Sequence, residues 1–221
     1  MRPFPAIYAI VWLIALAGFV AMAAFAAAHD TFAADVWLTH RLQDIHSGAF
    51  TNLLDGTEYL ARVWVIAPLT VLAAVAFYYI AGSGPAVLVL ATLVARPLNT
   101  VVKEIVERPR PSAALVRVEN QPGDYSFPSG HAHNALLFYG LIFYLATFYL
   151  PHRRLRLPVQ ALCLWAVIGN ALQRVNVGDH WPSDVAGALY LGGLALAALI
   201  AAHRLYLAWR EPGTGSATVR S

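Results

Sequence analysis

The chain has 221 residues, of which 59% are hydrophobic and only 12% are charged. Soluble domains carry about 25% charged residues, so this composition excludes an ordinary soluble domain and predicts an integral membrane protein. The net charge of +3 is small, and the sequence shows no basic patch of the kind that binds nucleic acid. A single cysteine, Cys163, excludes an internal disulfide, and its apolar surroundings predict a buried structural residue.

Six apolar segments are long enough to cross a bilayer, which takes about 20 mostly apolar residues in a helix. They lie roughly at Pro5–Ala28, Val63–Ala81, Pro85–Val106, His131–Leu150, Leu157–Gln173 and Pro182–Leu207. We therefore expect an all-α, polytopic membrane bundle of six transmembrane helices that forms one domain over residues 1–210. The polar tail at 211–221 is expected to be disordered.

The first segment also has features of a secretory signal peptide. A basic start, Met1-Arg2, precedes the apolar run, and the small residues at 26–28 would suit a cleavage site. The apolar core of a signal peptide is about 7–15 residues long, and this run is longer. Its length favours a retained transmembrane helix.

Basic residues set the expected orientation of the bundle. The loop between the fourth and fifth segments carries Arg153, Arg154 and Arg156 with no acidic residue. Because loops rich in Lys and Arg stay in the cytoplasm, we expect this loop and both termini on the cytoplasmic side of the inner membrane. The connections at 29–62, 104–130 and 174–181 then face the periplasm or the exterior.

The connection at 29–62 is too long for a simple turn. Apolar residues recur in it at near-helical spacing, at Val36, Trp37, Leu38, Leu42 and Ile45. This spacing predicts an amphipathic helix at the membrane interface. Such a helix could gate a substrate or serve only as a packed surface cap, and the sequence leaves both open.

Three short polar clusters lie among the apolar segments, at 103–111, 128–131 and 174–184. In the last cluster, Pro182 suits the first position of a helix, which would place Asp184 in its first turn. Asp184 could then accept the Nδ1 proton of His180 and leave Nε2 as a free lone pair. Such an imidazole is a competent nucleophile toward phosphorus, and Arg174 could reach the phosphoryl oxygens. A purely structural His–Asp pair fits this cluster equally well.

The second cluster, Pro128-Ser129-Gly130-His131, begins the fourth apolar segment. Helix N-termini present free N–H groups and favour anions. Gly130 would let the backbone approach an anion, Ser129 could donate its hydroxyl, and His131 could protonate a leaving oxygen. Taken alone, this Ser-Gly pair would more often be only a helix cap.

The first cluster places Lys103 and Arg110 seven residues apart, which is close to two helical turns. Pro109 and Pro111 disfavour a continuous helix, so we expect the chain to turn and the prolines to stiffen the loop that carries Arg110. Taken alone, these basic residues would be read as an anchor at the membrane surface.

The joint pattern resembles the type 2 phosphatidic acid phosphatase superfamily, whose signature is Lys-x6-Arg-Pro, then Pro-Ser-Gly-His, then Ser-Arg-x5-His-x3-Asp. The chain matches this signature in order and spacing at Lys103, Arg110-Pro111, Pro128–His131, Arg174, His180 and Asp184. Gln173 stands where the family usually has Ser. Because Gln still donates a hydrogen bond, we expect one weakened phosphate contact there.

The resemblance implies a role for each matching residue. His180 would attack phosphorus and form a phosphohistidine, Asp184 would orient His180, and His131 would protonate the leaving group. The phosphoryl oxygens would be held by Lys103, Arg110, Ser129, Gly130 and Arg174. No cofactor is implied, and we expect no metal, because three neighbouring cations would repel a divalent ion from the two histidines and Asp184.

We therefore expect a metal-independent phosphatase that acts on a lipid phosphate or pyrophosphate at the outer face of the membrane. The resemblance suggests phosphatidylglycerophosphate, phosphatidate or undecaprenyl pyrophosphate as substrate, with membrane lipids as the other partners. A lipid phosphotransferase that uses the same phosphohistidine is one alternative. A non-catalytic anion-binding carrier or scaffold is an alternative of another class. Vanadium haloperoxidases hold vanadate with similar residues but are soluble, so six membrane spans argue against that activity.

Two further charged residues carry weaker expectations. Arg96 lies inside the third apolar segment. There we expect it to form a structural ion pair with a carboxylate of a neighbouring helix, in preference to lining a polar channel. Asp179 precedes His180 and is expected to be an exposed loop carboxylate, although it could tune the field at that histidine.

Overall fold

Helices make up all the regular secondary structure that the computed structural model describes, which covers residues 6–45 and 47–210. They are α1 (Ala6–Ala27), α2 (Ala33–Gln43), α3 (Gly48–Ala61), α4 (Val63–Ala81), α5 (Ser83–Ala95), α6 (Pro97–Val106), α7 (Gly130–Tyr149), α8 (Arg153–Asn176) and α9 (Pro182–Arg210). This confirms the predicted all-α class. The tail expected to be disordered, at 211–221, lies outside the described residues.

Six helical stretches are long and apolar enough to span a membrane: α1, α4, α5 with α6, α7, α8 and α9. The predicted number of spans is therefore confirmed, and the protein is a multi-pass membrane protein. The third span begins at Ser83 and is divided at Arg96, because Pro97 lacks the N–H needed to continue an unbroken helix. The fifth span, Arg153–Asn176, extends beyond the predicted apolar segment Leu157–Gln173 at both ends.

Helix α7 occupies the centre of the bundle and contacts α8 and α9 most extensively, with α3, α4, α5 and α6 around it. Its buried positions include Ala135, Leu141 and Leu145, which are fully buried, and the aromatic rings of Phe138 and Tyr139. Helix α1 lies at the edge, against α9 and α6, and most of its side chains are exposed, as expected for a lipid-facing span.

The connection at 29–62 forms two helices, α2 and α3, and α2 buries a polar side. Its polar residues Asp35, Thr39 and Gln43 are buried at helical spacing, whereas Trp37 and Leu38 are 56% and 45% exposed. The reason is that α2 covers a polar part of the protein. Its apolar side therefore faces outward, where lipid can solvate it.

Gln43 shows what this buried polar stripe does. Its Nε2 donates to the carbonyl oxygens of Arg117 and Asn176 at 2.8 and 3.0 Å, and its Oε1 accepts from the Arg117 backbone N–H at 3.1 Å. Helix α2 thereby fixes the long loop 107–129 to the C-terminal end of α8. That loop carries the second half of the first polar cluster.

Helix α9 approaches the same loop closely at Gly187. A Cβ added there would lie 2.3 Å from Cε2 of Phe127, a fully buried ring that stacks on Phe19 at 6.3 Å. A rigid ring held on both sides cannot retreat easily, so this position requires glycine.

We predict that Gly187→Ala lowers the free energy of unfolding by about 1–3 kcal/mol, because overpacking displaces Phe127 and the residues that follow it. Thermal unfolding of the purified protein in detergent measures the effect. Gly193→Ala is the matched control, since its added Cβ would meet nothing within 4 Å on the same helix. Equal melting temperatures for both variants would contradict the prediction.

Candidate active site

The start of α9 positions the carboxylate of Asp184. Pro182 opens the helix, and Asp184 in its first turn accepts the Trp181 backbone N–H at 2.8 Å, as in the second half of a capping box. The partial positive charge of the helix N-terminus also favours a carboxylate there. The sequence-based placement of Asp184 in the first turn is thus confirmed.

A tight turn after α8 positions His180. Gly178 has a φ of +74°, and a Cβ there would lie 2.1 Å from the Arg117 carbonyl oxygen. The backbone N–H groups of Asp179 and His180 both donate to the Arg174 carbonyl, at 3.1 and 3.2 Å. Glycine is therefore required at 178 to fold the chain back, and the turn brings His180 beside the end of α8.

The expected hydrogen bond between His180 and Asp184 is absent, because Nδ1 and Oδ2 are 3.8 Å apart. The Ser126 hydroxyl lies between them: it donates to Asp184 Oδ2 and is 3.4 Å from His180 Nδ1. Asp184 also accepts from the Trp181 N–H and from Arg108, which hold it against the helix start. Ser126 therefore links the histidine to the carboxylate.

The other ring nitrogen of His180 faces a cation. Nη1 of Arg110 is 3.3 Å from Nε2 and donates to the Asp179 carbonyl at 2.6 Å. Burial lowers the pKa of His180 to about 4; Asp184 opposes this shift, and the charges of Arg110 and Lys103 add to it. The imidazole is therefore neutral at pH 7.

Lys103 and Arg110 converge on one carboxylate. Nζ of Lys103 is 2.5 Å from Asp124 Oδ2, and Nη2 of Arg110 is 2.6 Å from Asp124 Oδ1. Partial burial alone would raise the pKa of Asp124, but the two cations lower it to about 2. Asp124 is half exposed, so an ionised and accessible carboxylate occupies the position where these cations would bind an anion.

Arg174 lies in a buried network at the end of α8. Its guanidinium is 2.8 Å from Asp179, 2.6 Å from Gln173 Oε1 and 3.4 Å from Glu58 of α3. Asp179 is only 4% exposed, so the expectation of an exposed loop carboxylate was wrong. Burial raises the pKa of Asp179, against the opposing effect of Arg174. Gln173 also donates to Glu58, and the side chain thus supports Arg174.

The second cluster lies at the start of α7, against α9 and α6. The Ser129 N–H donates to the Asp184 carbonyl at 3.1 Å, and Asn99 donates to the Pro128 carbonyl at 3.1 Å. The buried Ser129 hydroxyl makes no capping bond and has no partner within the described part of the chain. A Cβ at Gly130 would lie 3.3 Å from Asn99 Oδ1, so the backbone is tightly seated.

His131 follows directly in the first turn of α7 and is partly buried. The structure therefore gathers the sequence-predicted residues at one end of the bundle. Direct contacts join Arg110 to His180 and Ser129 to Asp184, while Lys103 meets Arg110 through Asp124.

Five residues around the site were missed by the sequence analysis: Asp35, Glu58, Arg108, Asp124 and Ser126. Arg108 lies in the first polar cluster but was indistinguishable by type from Arg110. Asp35 and Glu58 come from α2 and α3, and their partners are distant in sequence. The three clusters contain more Lys and Arg residues than a bundle can bury without carboxylate partners. Counting the two kinds of residue could have indicated that acidic side chains from elsewhere in the chain pair with them.

Arg96 does not form the expected ion pair. Its Nε and Nη2 atoms are buried and lack a hydrogen-bond partner over residues 6–45 and 47–210. It lies at the break between α5 and α6, within the third span.

Comparison with known proteins gives the family. The family model of the PAP2 superfamily matches residues 84–208. The chain belongs to the PAP2 superfamily. The matched region contains all three polar clusters, and four of the six spans begin or end within it. Helices α1, α2, α3 and α4 precede it.

Two relatives illustrate how this PAP2 protein compares with named enzymes. It is 30% identical over 146 residues to phosphatidylglycerophosphatase B of Bacillus subtilis (strain 168), covering 64% of this chain and 69% of that protein. It is 31% identical over 116 residues to decaprenylphosphoryl-5-phosphoribose phosphatase of Mycobacterium tuberculosis, covering 52% and 55% of the two chains.

Solved structures share the fold of this PAP2 protein. A transmembrane PAP2-type phosphatidylglycerolphosphate phosphatase from Bacillus subtilis superposes with a TM-score of 0.73 at 24% identity, covering 91% of this chain and 98% of that one. LpxE of Aquifex aeolicus gives a TM-score of 0.58 at 21% identity, covering 79% and 98%. At these identities the comparison supports the fold alone.

We predict that Asp124→Asn raises the affinity of the site for inorganic phosphate by about 3–10-fold, because the amide removes the charge that competes for Lys103 and Arg110. Isothermal titration calorimetry on the detergent-solubilised protein measures the dissociation constant. Glu119→Gln is the control: this half-exposed acid on the same loop lies 3.6 Å from Arg117 and should leave binding unchanged. Weaker phosphate binding by Asp124→Asn would contradict the prediction.

Proposed function

We propose that this PAP2 protein removes phosphate from a membrane lipid phosphate or pyrophosphate through a phosphohistidine at His180, without a metal ion. The observation that carries the proposal is the neutral His180 imidazole, whose Nε2 lies beside the guanidinium of Arg110. The proposed catalytic domain comprises residues 1–210.

The broader class does not depend on this mechanism. Membership in the PAP2 superfamily and a relative named phosphatidylglycerophosphatase B identify an enzyme that hydrolyses lipid phosphates. The identity of the nucleophile, the order of steps and the exact substrate are the parts proposed here.

The first step follows from the position of Nε2. Its lone pair would form a bond to phosphorus while the bond from phosphorus to the lipid oxygen breaks. His131, at the start of α7, would donate its proton to that leaving oxygen, which departs as the lipid alcohol. The His180 ring then carries a positive charge, which Asp184 would stabilise with Ser126 between them.

The second step returns the enzyme to its first state. A water molecule would give a proton to His131 while its oxygen bonds to phosphorus and the phosphorus–Nε2 bond breaks. Inorganic phosphate is released, and His180 becomes neutral again. The same intermediate would give a phosphotransferase if a lipid hydroxyl replaced water.

Charge and hydrogen-bond donors support an anion at this position. A phosphomonoester carries a charge of about −1.5 to −2 at neutral pH. Lys103 and Arg110 already hold a carboxylate, and Nη2 of Arg174 is held by an ion pair with Glu58 at 3.4 Å, with no hydrogen bond from the described residues. Together with the unpartnered Ser129 hydroxyl and the backbone at Gly130, they would hold the phosphoryl oxygens and the charge that develops on them.

We propose phosphatidylglycerophosphate as the first substrate to test, since the relative that shares 30% identity is a phosphatidylglycerophosphatase. Phosphatidate and undecaprenyl pyrophosphate are the further candidates. Following the basic loop at 153–156, the site would face the periplasm or exterior from the cytoplasmic membrane. A lipid could then reach it sideways from the outer leaflet.

We expect the purified protein in detergent, with EDTA present, to release phosphate from at least one of these three lipids. His180→Ala should lower kcat by at least about 10³-fold, and His131→Asn by about 10²–10⁴-fold, because each removes a group that takes part in bond making or proton transfer. His152→Ala, an exposed histidine in the loop between α7 and α8, is the matched control.

Brief reaction with lipid labelled by ³²P should also leave acid-labile label on the protein but none on His180→Ala. Full activity in His180→Ala, or no phosphate release with or without divalent metal, would overturn the proposed mechanism. Transfer of the label to an added lipid alcohol in preference to water would indicate a phosphotransferase.

The pH profile gives a separate prediction. Because burial lowers the pKa of His180 from an ordinary 6.5 to about 4, the reactive neutral form persists in mildly acidic solution. We expect kcat/KM to fall only as the pH drops toward about 4, after correction for the separately titrated ionisation of the substrate. Initial rates measured across the acidic range test this. An acidic limb centred near 6.5 would contradict it.

A further inference from the structure

Arg108 lies at the centre of a charged network that the proposed mechanism has not used. Its Nη1 is 2.6 Å from Asp184 Oδ1 and 2.7 Å from Ser183 Oγ, and its Nη2 is 2.9 Å from Asp35 Oδ2. The guanidinium also lies 4.7 Å from the centre of the Phe32 ring. Arg108 thus bridges a carboxylate on α2 and the carboxylate next to His180.

The position of Arg108 excludes a role as a phosphate ligand. The residue is 1% exposed, and both terminal nitrogens already donate to carboxylates. Arg110 differs in both respects, since its side chain is 13% exposed and approaches His180 Nε2. Two arginines separated by one proline therefore have different tasks, and Arg108 can act on the reaction only through Asp184.

Asp35 is held equally firmly. It is 3% exposed, and besides Arg108 it accepts the Ser183 backbone N–H at 2.8 Å and the Ser183 hydroxyl at 2.6 Å. These bonds join the first turn of α2 to the first turn of α9. A buried carboxylate is costly unless it is paired and hydrogen-bonded, so the presence of a second one beside Asp184 calls for a reason.

The charge balance supplies that reason. With Asp184 alone, Arg108 would neutralise the carboxylate that faces His180. With Asp35 present, one cation is shared between two carboxylates, and the group keeps a net negative charge. That charge favours a cationic His180 ring, which is the form that exists once Nε2 is bonded to phosphorus.

Resting on the function proposed above, we propose that Asp35 and Arg108 are positioning residues that control the charge and orientation of the His180–Asp184 pair. Arg108 fixes the Asp184 carboxylate and weakens the electrostatic stabilisation that this carboxylate gives to a cationic imidazole. Asp35 restores part of that stabilisation. Removal of the two side chains should therefore shift the protonation of His180 in opposite directions.

Other charges also face this pair and must be kept constant in any test. They are Lys103 of α6, Arg110 and Asp124 of the loop 107–129, His131 of α7, Arg174 of α8 and Asp179 of the following turn. None of these side chains is altered in the variants below, so a difference between variants reports on Asp35 and Arg108.

The first measurement is independent of catalysis. ¹⁵N-histidine NMR of the full chain in detergent gives the pKa of His180, with the signal assigned by its loss in His180→Gln. Arg108→Gln removes a positive charge and should raise that pKa by about one unit, whereas Asp35→Asn removes a negative charge and should lower it by a similar amount. A purely structural role would shift the pKa in the same direction in both variants or in neither.

The second measurement is kinetic. Arg108→Gln should lower kcat by about 10–100-fold and change KM by less than about threefold, since Arg108 does not touch the substrate. Asp35→Asn keeps the side-chain shape and should lower kcat by about 3–10-fold, again with little change in KM. A large rise in KM with unchanged kcat in Arg108→Gln would place Arg108 on the phosphate and overturn the proposal.

Controls separate folding from electrostatics. Arg117→Gln and Asp44→Asn are matched exposed residues on the same loop and at the end of α2, and both should leave the His180 pKa and kcat unchanged. If Arg108→Gln fails to fold, Arg108→Lys keeps the charge but cannot bond both carboxylates. It should lower kcat while the pKa of His180 stays within about 0.3 units.

The two proposals fail in different ways. Opposite pKa shifts in a protein that releases no phosphate would support the charged network and overturn the phosphatase mechanism. Phosphate release through His180, with no opposite shifts, would support the mechanism and overturn the roles of Asp35 and Arg108.

Discussion

A carboxylate buried at the end of a membrane bundle is the constraint around which the rest of this structure is arranged. Asp184 is inaccessible to solvent and accepts hydrogen bonds from the Trp181 backbone, Ser126 and Arg108. The donors come from the turn before α9 and from the two ends of the loop 107–129, with Arg108 at its start and Ser126 near its end. Because an unpaired charge in such a place is costly, satisfying Asp184 also fixes the position of these segments relative to His180.

The requirement that each buried charge be paired with an opposite charge also applies to the residues around Asp184. Arg108 satisfies Asp184 and in turn requires Asp35, while Arg174 requires Asp179 and Glu58. The helices of the 29–62 connection are therefore more than a surface cover, because α2 supplies Asp35 and α3 supplies Glu58. Neither helix needs to touch a substrate in order to influence the site.

The sequence could predict the features that depend on local pattern. Six spans followed from apolar length, and the placement of Asp184 followed from Pro182 at a helix start. Spacing alone could not reveal that Ser126 lies between His180 and Asp184, because that contact depends on tertiary packing. The burial of Asp35 and Gln43 on α2 depends on tertiary packing in the same way, since their partners lie far away along the chain. Asp179 was misjudged for the same reason: a loop position suggested exposure, but Arg174 holds it in the interior.

The exposed carboxylate of Asp124 has a consequence for turnover. Lys103 and Arg110 hold an anion that is tethered to the chain, so in the proposed mechanism an incoming phosphate would exchange with Asp124 and would not meet bare cations. When product phosphate leaves, the same carboxylate can return to the same two nitrogens. The cost of separating a dianion from two cations would then be offset by the returning side chain, which would limit product inhibition in the proposed site.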